Sequence, residues 1–233
     1  MSGVRGPLVL VGPSGAGKTT IADELVTMHP DRFEPSVSAT TRSPRDGERH
    51  GREYLFVLRA EFDGMIRNGR FAEWAEVHGE RYGTPADNLR DISADGPVPV
   101  LDIDVQGARQ VLGRGTGALV IFIVPPGPAE WLGRLVGRGT ESPREVGRRL
   151  RTALKELRSA RLFERFVVNA DLDRAVRQVL AHWNGEPVRG TSTSEVAALC
   201  RRLEAGARLE IARLDAMKNP AAMDTKQAHE ERI

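Results

Sequence analysis

Residues 12–19 read Gly-Pro-Ser-Gly-Ala-Gly-Lys-Thr, which satisfies every fixed position of the spacing G-x-x-x-x-G-K-[ST]. This run constrains the fold more than any other feature, because the pattern has meaning only between a strand and a helix. Both flanks are present. Leu8-Val9-Leu10-Val11 is a short apolar run of the buried-strand kind, and Ile21, Leu25 and Met28 recur at helical spacing over residues 18–28. Glycines let the backbone curl so that successive N–H groups converge, and the new helix adds its positive N-terminal end. A loop built this way receives phosphate. Gly12, Pro13, Ser14, Gly15, Ala16, Gly17 and Thr20 form the cradle, Lys18 reaches the outer phosphates, and the Thr19 hydroxyl suits Mg²⁺.

The same alternation continues downstream. Val98–Ile103, Leu119–Val124 and the weaker Phe166–Val168 read as strands, with helical patterns over 105–112, 129–135 and 173–183. Strands alternating with helices predict an α/β fold with a parallel sheet and right-handed crossovers. Residues 36–95 break the rhythm: 36–41, 53–58 and 81–83 look like short strands joined by polar turns, so a small mixed α/β insertion is expected there. Ser142-Pro143-Arg144-Glu145 is a capping box with proline at the first helical position. It lies in a stretch carrying Arg134, Arg138, Arg144, Arg148, Arg149, Arg151, Arg158 and Arg161. By itself that stretch is a solvated basic helix face; beside a phosphate-binding loop its arginines gain anionic partners.

After Trp183 the composition changes. Residues 184–194 read as a linker, and Val196, Leu199, Leu203, Ala207, Ile211 and Leu214 then form an apolar helical stripe that Ser192 and Glu195 can cap. Asn219-Pro220 should end it before a polar, disordered tail. The stripe is expected to dock on the core or to pair with another chain, which makes the tail a candidate for self-association. Its acidic and basic residues balance, and the whole chain carries a formal charge of only +2, so neither nucleic acid nor a membrane is an expected partner. A lone cysteine, Cys200, no basic-plus-apolar leader, and a longest apolar run of only 118–124 lead to a cytoplasmic expectation. Scattered histidines without zinc spacing and the lack of a G-x-S-x-G element leave metallohydrolase and serine-hydrolase readings unsupported.

Three further clusters carry chemistry. Asp102 and Asp104 end the apolar strand beginning at Val98, at the sheet edge where open α/β folds bind ligands. One of them is the expected Mg²⁺ partner of the loop, and the sequence does not say which. Arg42 and Arg45 sit three apart in a proline-containing turn, with Ser38 and other hydroxyls close by in sequence and Tyr54 as a further donor; two forked cations of this kind suit a phosphate dianion. Glu73, Tyr82 and Thr84 lie in the same insertion. A carboxylate cannot hold phosphate, but it can accept from a base presenting N–H donors, as guanine does; on the residues alone an ordinary surface glutamate is the better reading.

Taken together these motifs resemble guanylate kinase over about residues 6–183. The anchors are residues 12–19, Ser36-Val-Ser-Ala-Thr-Thr-Arg42 with Pro44-Arg45, Gly51-Arg-Glu-Tyr54, Glu73-Trp-Ala-Glu76, Tyr82-Gly-Thr84, Leu101-Asp-Ile-Asp-Val-Gln-Gly107, Arg138-Gly-Thr140 and Val168-Asn169. The resemblance implies a P-loop kinase core (1–35, 96–128 and 162–184), a GMP-binding insertion (36–95) and a mobile helical lid (129–161), with 185–233 outside it. It implies that Ser38, Glu73 and Thr84 read guanine with Asp104 nearby, and that Arg42, Arg45, Tyr54 and Tyr82 hold the GMP phosphate. It gives ATP and Mg²⁺ to the loop, with Thr19 and Asp102 at the metal. Arg134 then lies on the nucleotide, Asn169 near adenine, and Lys18, Arg45, Arg138 and Arg149 at the transferring phosphoryl group. Two other readings compete: a guanylate-kinase-like module that binds without catalysis, and a kinase acting on a ribose bisphosphate.

Overall fold

The structure is a computed structural model of the chain and describes residues 6–77, 79–89, 96–136, 142–189 and 192–217. The chain runs β1 (Leu8–Val11), α1 (Lys18–Met28) and β2 (Phe33–Pro35) before entering the insertion. There it forms β3 (Ala39–Thr40), β4 (Leu55–Phe56), α2 (Arg59–Arg67), β5 (Phe71–Val77) and β6 (Glu80–Pro85). It returns through β7 (Val98–Asp102), α3 (Val105–Gly113), β8 (Leu119–Val124), α4 (Pro128–Val136), α5 (Pro143–Arg158), β9 (Phe166–Val168), α6 (Leu172–Asn184) and α7 (Thr193–Ala216).

The main sheet is parallel, in the order β2-β7-β1-β8-β9. Its two-residue period divides the apolar strands between two layers. Leu8 and Leu10 join Ile121 and Ile123 against α1 and α6, through Ile21, Leu25, Val176 and Val179. Val9 and Val11 join Leu101, Phe122 and Val124 on the opposite face, covered by α3, α4, α5 and α7. The insertion has its own four-stranded sheet, β4-β3-β6-β5, over a small cluster of Ala39, Phe62 and Phe71.

The α/β expectation holds, and β1, α1, β8 and β9 fall on the expected residues. Both predicted capping boxes form: Ser142 with Glu145 opens α5, and Ser192 with Glu195 opens α7. Sequence reading missed β2, α2 and β5. β2 has a single buried residue and ends on proline; α2 buries only Phe62. β5 alternates imperfectly, because a bulge lies between Phe71 and Glu73 and a carboxylate points inward.

Of the two expectations for the α7 stripe, docking on the core is the one the fold realises: Val196, Leu199, Leu203, Ala207 and Leu214 are buried in the same cluster as Phe122, Trp131 and Leu150. Gly206 lets the helix close on α4, since a Cβ there would come within 2.7 Å of the Pro128 Cβ. Arg158–Glu204, at 3.3 Å, and Arg151–Asp215 tie α7 to α5. Within the stretch expected to be a mobile lid, Trp131, Leu135, Val146, Leu150, Ala153, Leu154 and Leu157 belong to that cluster too.

Candidate active site

The loop after β1 turns through glycines that no other residue could replace without strain. Gly17 has φ +87° as the N-cap of α1, and an added Cβ there would lie 2.3 Å from Asn169 Nδ2. Lys18 and Thr19 follow at the first turn of α1. Lys18 Nζ donates to the Gly12 carbonyl at 3.1 Å and stands 3.6 Å from Asp102 Oδ1. The Thr19 hydroxyl donates to Asp102 Oδ2. Asp102 is the last residue of β7, beside β1, so the parallel pairing itself brings it to the loop.

The two aspartates therefore part. Asp104 is the N-cap of α3, its Oδ1 accepting from the Gly107 N–H at 2.8 Å. Thr19 and Asp102 together offer two hard oxygens in contact, a donor set that fits Mg²⁺, which keeps waters and takes its other ligands from phosphate. That chemistry makes Asp102 the better metal candidate.

Across the cleft, antiparallel pairing sets Glu73 of β5 directly opposite Thr84 of β6. Thr84 donates to Glu73 Oε1 twice, from its N–H at 2.9 Å and its hydroxyl at 2.6 Å. Ser38 Oγ extends the chain, 3.4 Å from Thr84 Oγ1. Glu73 is only 4% exposed. Burial pushes its carboxyl up to about 7, the Asp104 charge adds to this, and the Thr84 bonds oppose it. Its other oxygen lies over the start of α3, where a Cβ on Gly107 would come within 2.3 Å of Oε2.

Arg42, Tyr54 and Tyr82, the expected holders of the GMP phosphate, lie close together, with a partner the sequence did not indicate. Tyr54 and Tyr82 meet edge to face at 5.9 Å, and the Arg42 guanidinium lies 5.4 Å from the Tyr54 ring centroid. Burial holds the Tyr54 phenol up at about 12, so it remains a donor at any working pH. Arg42 makes a two-pronged bond to Glu48, at 2.9 and 3.0 Å, and Glu48 also accepts the Arg45 N–H at 2.8 Å. Glu48 thus organises the turn that presents both arginines. It was missed because a glutamate in a polar turn has no sequence signature that sets it apart.

One cleft of about 240 Å³ joins these parts, lined by Ser14, Lys18, Asp102, Asp104 and Glu156 on the core side and by Ser38, Tyr54, Glu73 and Tyr82 on the insertion side. Its two sides are tied through α3. The Gln110 carboxamide donates to the Trp74 carbonyl at 2.7 Å and accepts the Trp74 N–H at 3.3 Å, and Arg114 donates to the Phe71 carbonyl at 3.1 Å. Asn169, expected near adenine, is 6% exposed and donates to the Ala16 carbonyl at 2.8 Å, with Arg134 donating to its own carbonyl at 3.3 Å. Arg149 is half-buried on α5; Arg138 lies outside the described residues. No described helix is long and apolar enough to cross a membrane.

The guanylate kinase family model matches residues 4–183. A guanylate kinase of Geobacter sulfurreducens is 46% identical over 171 residues, 73% of this chain and 84% of the relative. That of Nitratidesulfovibrio vulgaris is 48% identical over 174 residues, 75% and 84% of the two chains. The crystal structure of guanylate kinase from Anaplasma phagocytophilum superposes with a TM-score of 0.63 at 29% identity, covering 93% of this chain and 96% of that one. A phosphate-binding loop facing a buried carboxylate across one cleft, in a chain matched over most of its length, makes this protein a member of the guanylate kinase family.

Proposed function

We propose that the protein transfers the γ-phosphoryl group of ATP to GMP, giving ADP and GDP. The observation that carries this reading is the shared cleft: Lys18, Thr19 and Asp102 stand on one side and the Ser38–Thr84–Glu73 chain on the other.

Guanine enters the insertion side. Ionised Glu73 accepts from N1–H and N2–H₂, with Ser38 and Thr84 completing the base contacts. Arg42, Arg45, Tyr54 and Tyr82 hold the 5′-phosphate, which takes over part of the Arg42 fork now given to Glu48. ATP lies along the loop with its phosphates on the N-terminus of α1 and on Lys18. Mg²⁺, when bound through Thr19 and Asp102, neutralises charge on the ATP phosphates. A GMP phosphate oxygen attacks the γ-phosphorus, the new P–O bond forms, and the bond to the β–γ bridging oxygen breaks with its electron pair leaving on ADP. The acceptor is already an anion, so the protein needs no general base; alignment and charge neutralisation by Lys18, Arg45, Arg138 and Arg149 supply the catalysis.

A coupled assay of ADP release with ATP, Mg²⁺ and each nucleoside monophosphate tests this. GMP is expected to be the preferred acceptor. Nucleotide binding without GDP formation would support the binding module instead, and preference for a ribose bisphosphate would support the other kinase.

A further inference from the structure

Ser14 is gripped from outside the phosphate-binding loop on both sides of its backbone. Its N–H donates to Glu156 Oε2 at 2.9 Å, and its carbonyl accepts from Trp131 Nε1 at 2.9 Å. The first partner belongs to α5 and the second to α4. The indole is fully buried, and it continues along the loop: a Cβ on Gly15 would meet Trp131 Cδ1 at 3.4 Å and Leu135 Cγ at 3.1 Å. Gly15, at φ +80°, is where the loop begins its curl toward Lys18. Burial raises the Glu156 carboxyl, while the Ser14 N–H and the Lys18 charge favour its ionised form. A carboxylate held this close to a phosphate-binding loop repels the incoming nucleotide. Its presence therefore calls for a compensating role.

We infer that Glu156 and Trp131 are positioning residues for ATP: by fixing the two peptide groups that flank the Ser14 Cα they hold the loop in the curl that receives phosphate. The inference rests on the ATP-dependent reading above. Both residues act through Ser14. Preorganised N–H groups bind an anion without first ordering the loop, so loosening the peptide should weaken nucleotide binding while leaving the guanine side untouched. The two grips come from helices that α7 braces. Arg158, two residues after Glu156, pairs with Glu204 of α7, and Arg151 pairs with Asp215.

The test compares wild type, Glu156→Ala, Glu156→Gln and Trp131→Phe by calorimetric titration with ADP, by KM for ATP and for GMP, and by thermal melting. Losing a charged acceptor from a backbone N–H is expected to weaken ADP binding and raise the ATP KM about tenfold, with the GMP KM within about twofold of wild type. Glu156→Gln keeps an oxygen acceptor and should recover all but about threefold of the loss; Trp131→Phe should show the same ATP-selective pattern at about threefold. ADP binding that is unchanged or tighter in Glu156→Ala overturns the inference; tighter binding would make the carboxylate a phosphate stand-in that the nucleotide must expel. Equal losses in Glu156→Ala and Glu156→Gln, or a parallel rise in the GMP KM, also overturn it. Should Glu156→Ala not fold, unaltered ADP binding in Trp131→Phe does the same. Wild-type protein that binds ADP without phosphorylating GMP would defeat the proposed function, while the ADP titrations would still decide this one.

Discussion

Lowering the pH from 8 to 6 is expected to weaken guanosine binding about tenfold, through Glu73. Its carboxyl is buried and raised from 4.5 to about 7, with the Asp104 charge adding to the effect of burial. Only the ionised carboxylate can accept from both guanine donors. In the free protein that form falls from about nine-tenths at pH 8 to about one-tenth at pH 6, and apparent affinity falls with the competent fraction. The loss is about 1.4 kcal/mol across this window. The sign follows from linkage. The bound base favours the ionised form and so lowers the bound-state value; affinity rises with pH until about 7 and is flat above it. Guanosine is the right ligand because the GMP phosphate has its own second pKa of about 6. Calorimetry in two buffers of different ionisation enthalpy should register close to one proton released per guanosine at pH 6 and almost none at pH 8. Glu73→Gln should flatten the profile. Guanosine affinity independent of pH between 6 and 8, or stronger at pH 6, would refute the assignment of Glu73 as the base reader.

Gly107→Ala should cut GMP affinity about tenfold or more and leave ADP binding unchanged, since the new methyl group would sit against Glu73 Oε2; equal affinity for GMP in the variant would show that the carboxylate has room to move. Arg149→Ala should lower kcat by about 10³ with little change in ADP affinity, as expected of an arginine serving the transition state, and an unaltered kcat would return it to the helix surface. Ending the chain at Gly185 should destabilise the fold by several kcal/mol, because burial of Val196, Leu199, Leu203 and Leu214 is worth about 1.5–3 kcal/mol each and a domain's whole stability is about 5–15. A truncated protein melting at the full-length temperature would show that α7 is dispensable.

The loop and its flanks were legible because their constraints are local. A strand of four apolar residues, glycines where the chain must curl, and a helix of fixed period all lie within Leu8–Met28. The two capping boxes were readable for the same reason, each needing only four residues. What escaped depends on partners distant in sequence. Glu156 meets Ser14 across 142 positions and Trp131 meets it across 117. Gln110 meets Trp74 across 36. Glu73 could be preferred as a base reader over an ordinary surface glutamate only through the family resemblance, because nothing local shows that a carboxylate in a bulged strand is buried. The choice between Asp102 and Asp104 needed the register of β7 on β1 and the start of α3, neither of which composition reveals.

The bond between Gln110 and Trp74 also bears on how these molecules behave toward one another. β5 is the outer strand of the insertion sheet, so its far side would present backbone donors and acceptors to any passing strand. The Gln110 carboxamide carries one donor and one acceptor in the arrangement of a peptide group, and it occupies both backbone groups of Trp74. A helix side chain thus imitates the neighbouring strand and closes the ladder midway along its open border. With that site filled, a second copy finds no uninterrupted edge along β5 on which to add a strand, and the partly exposed Trp74 ring beside it is kept from becoming the nucleus of a sheet shared through that strand.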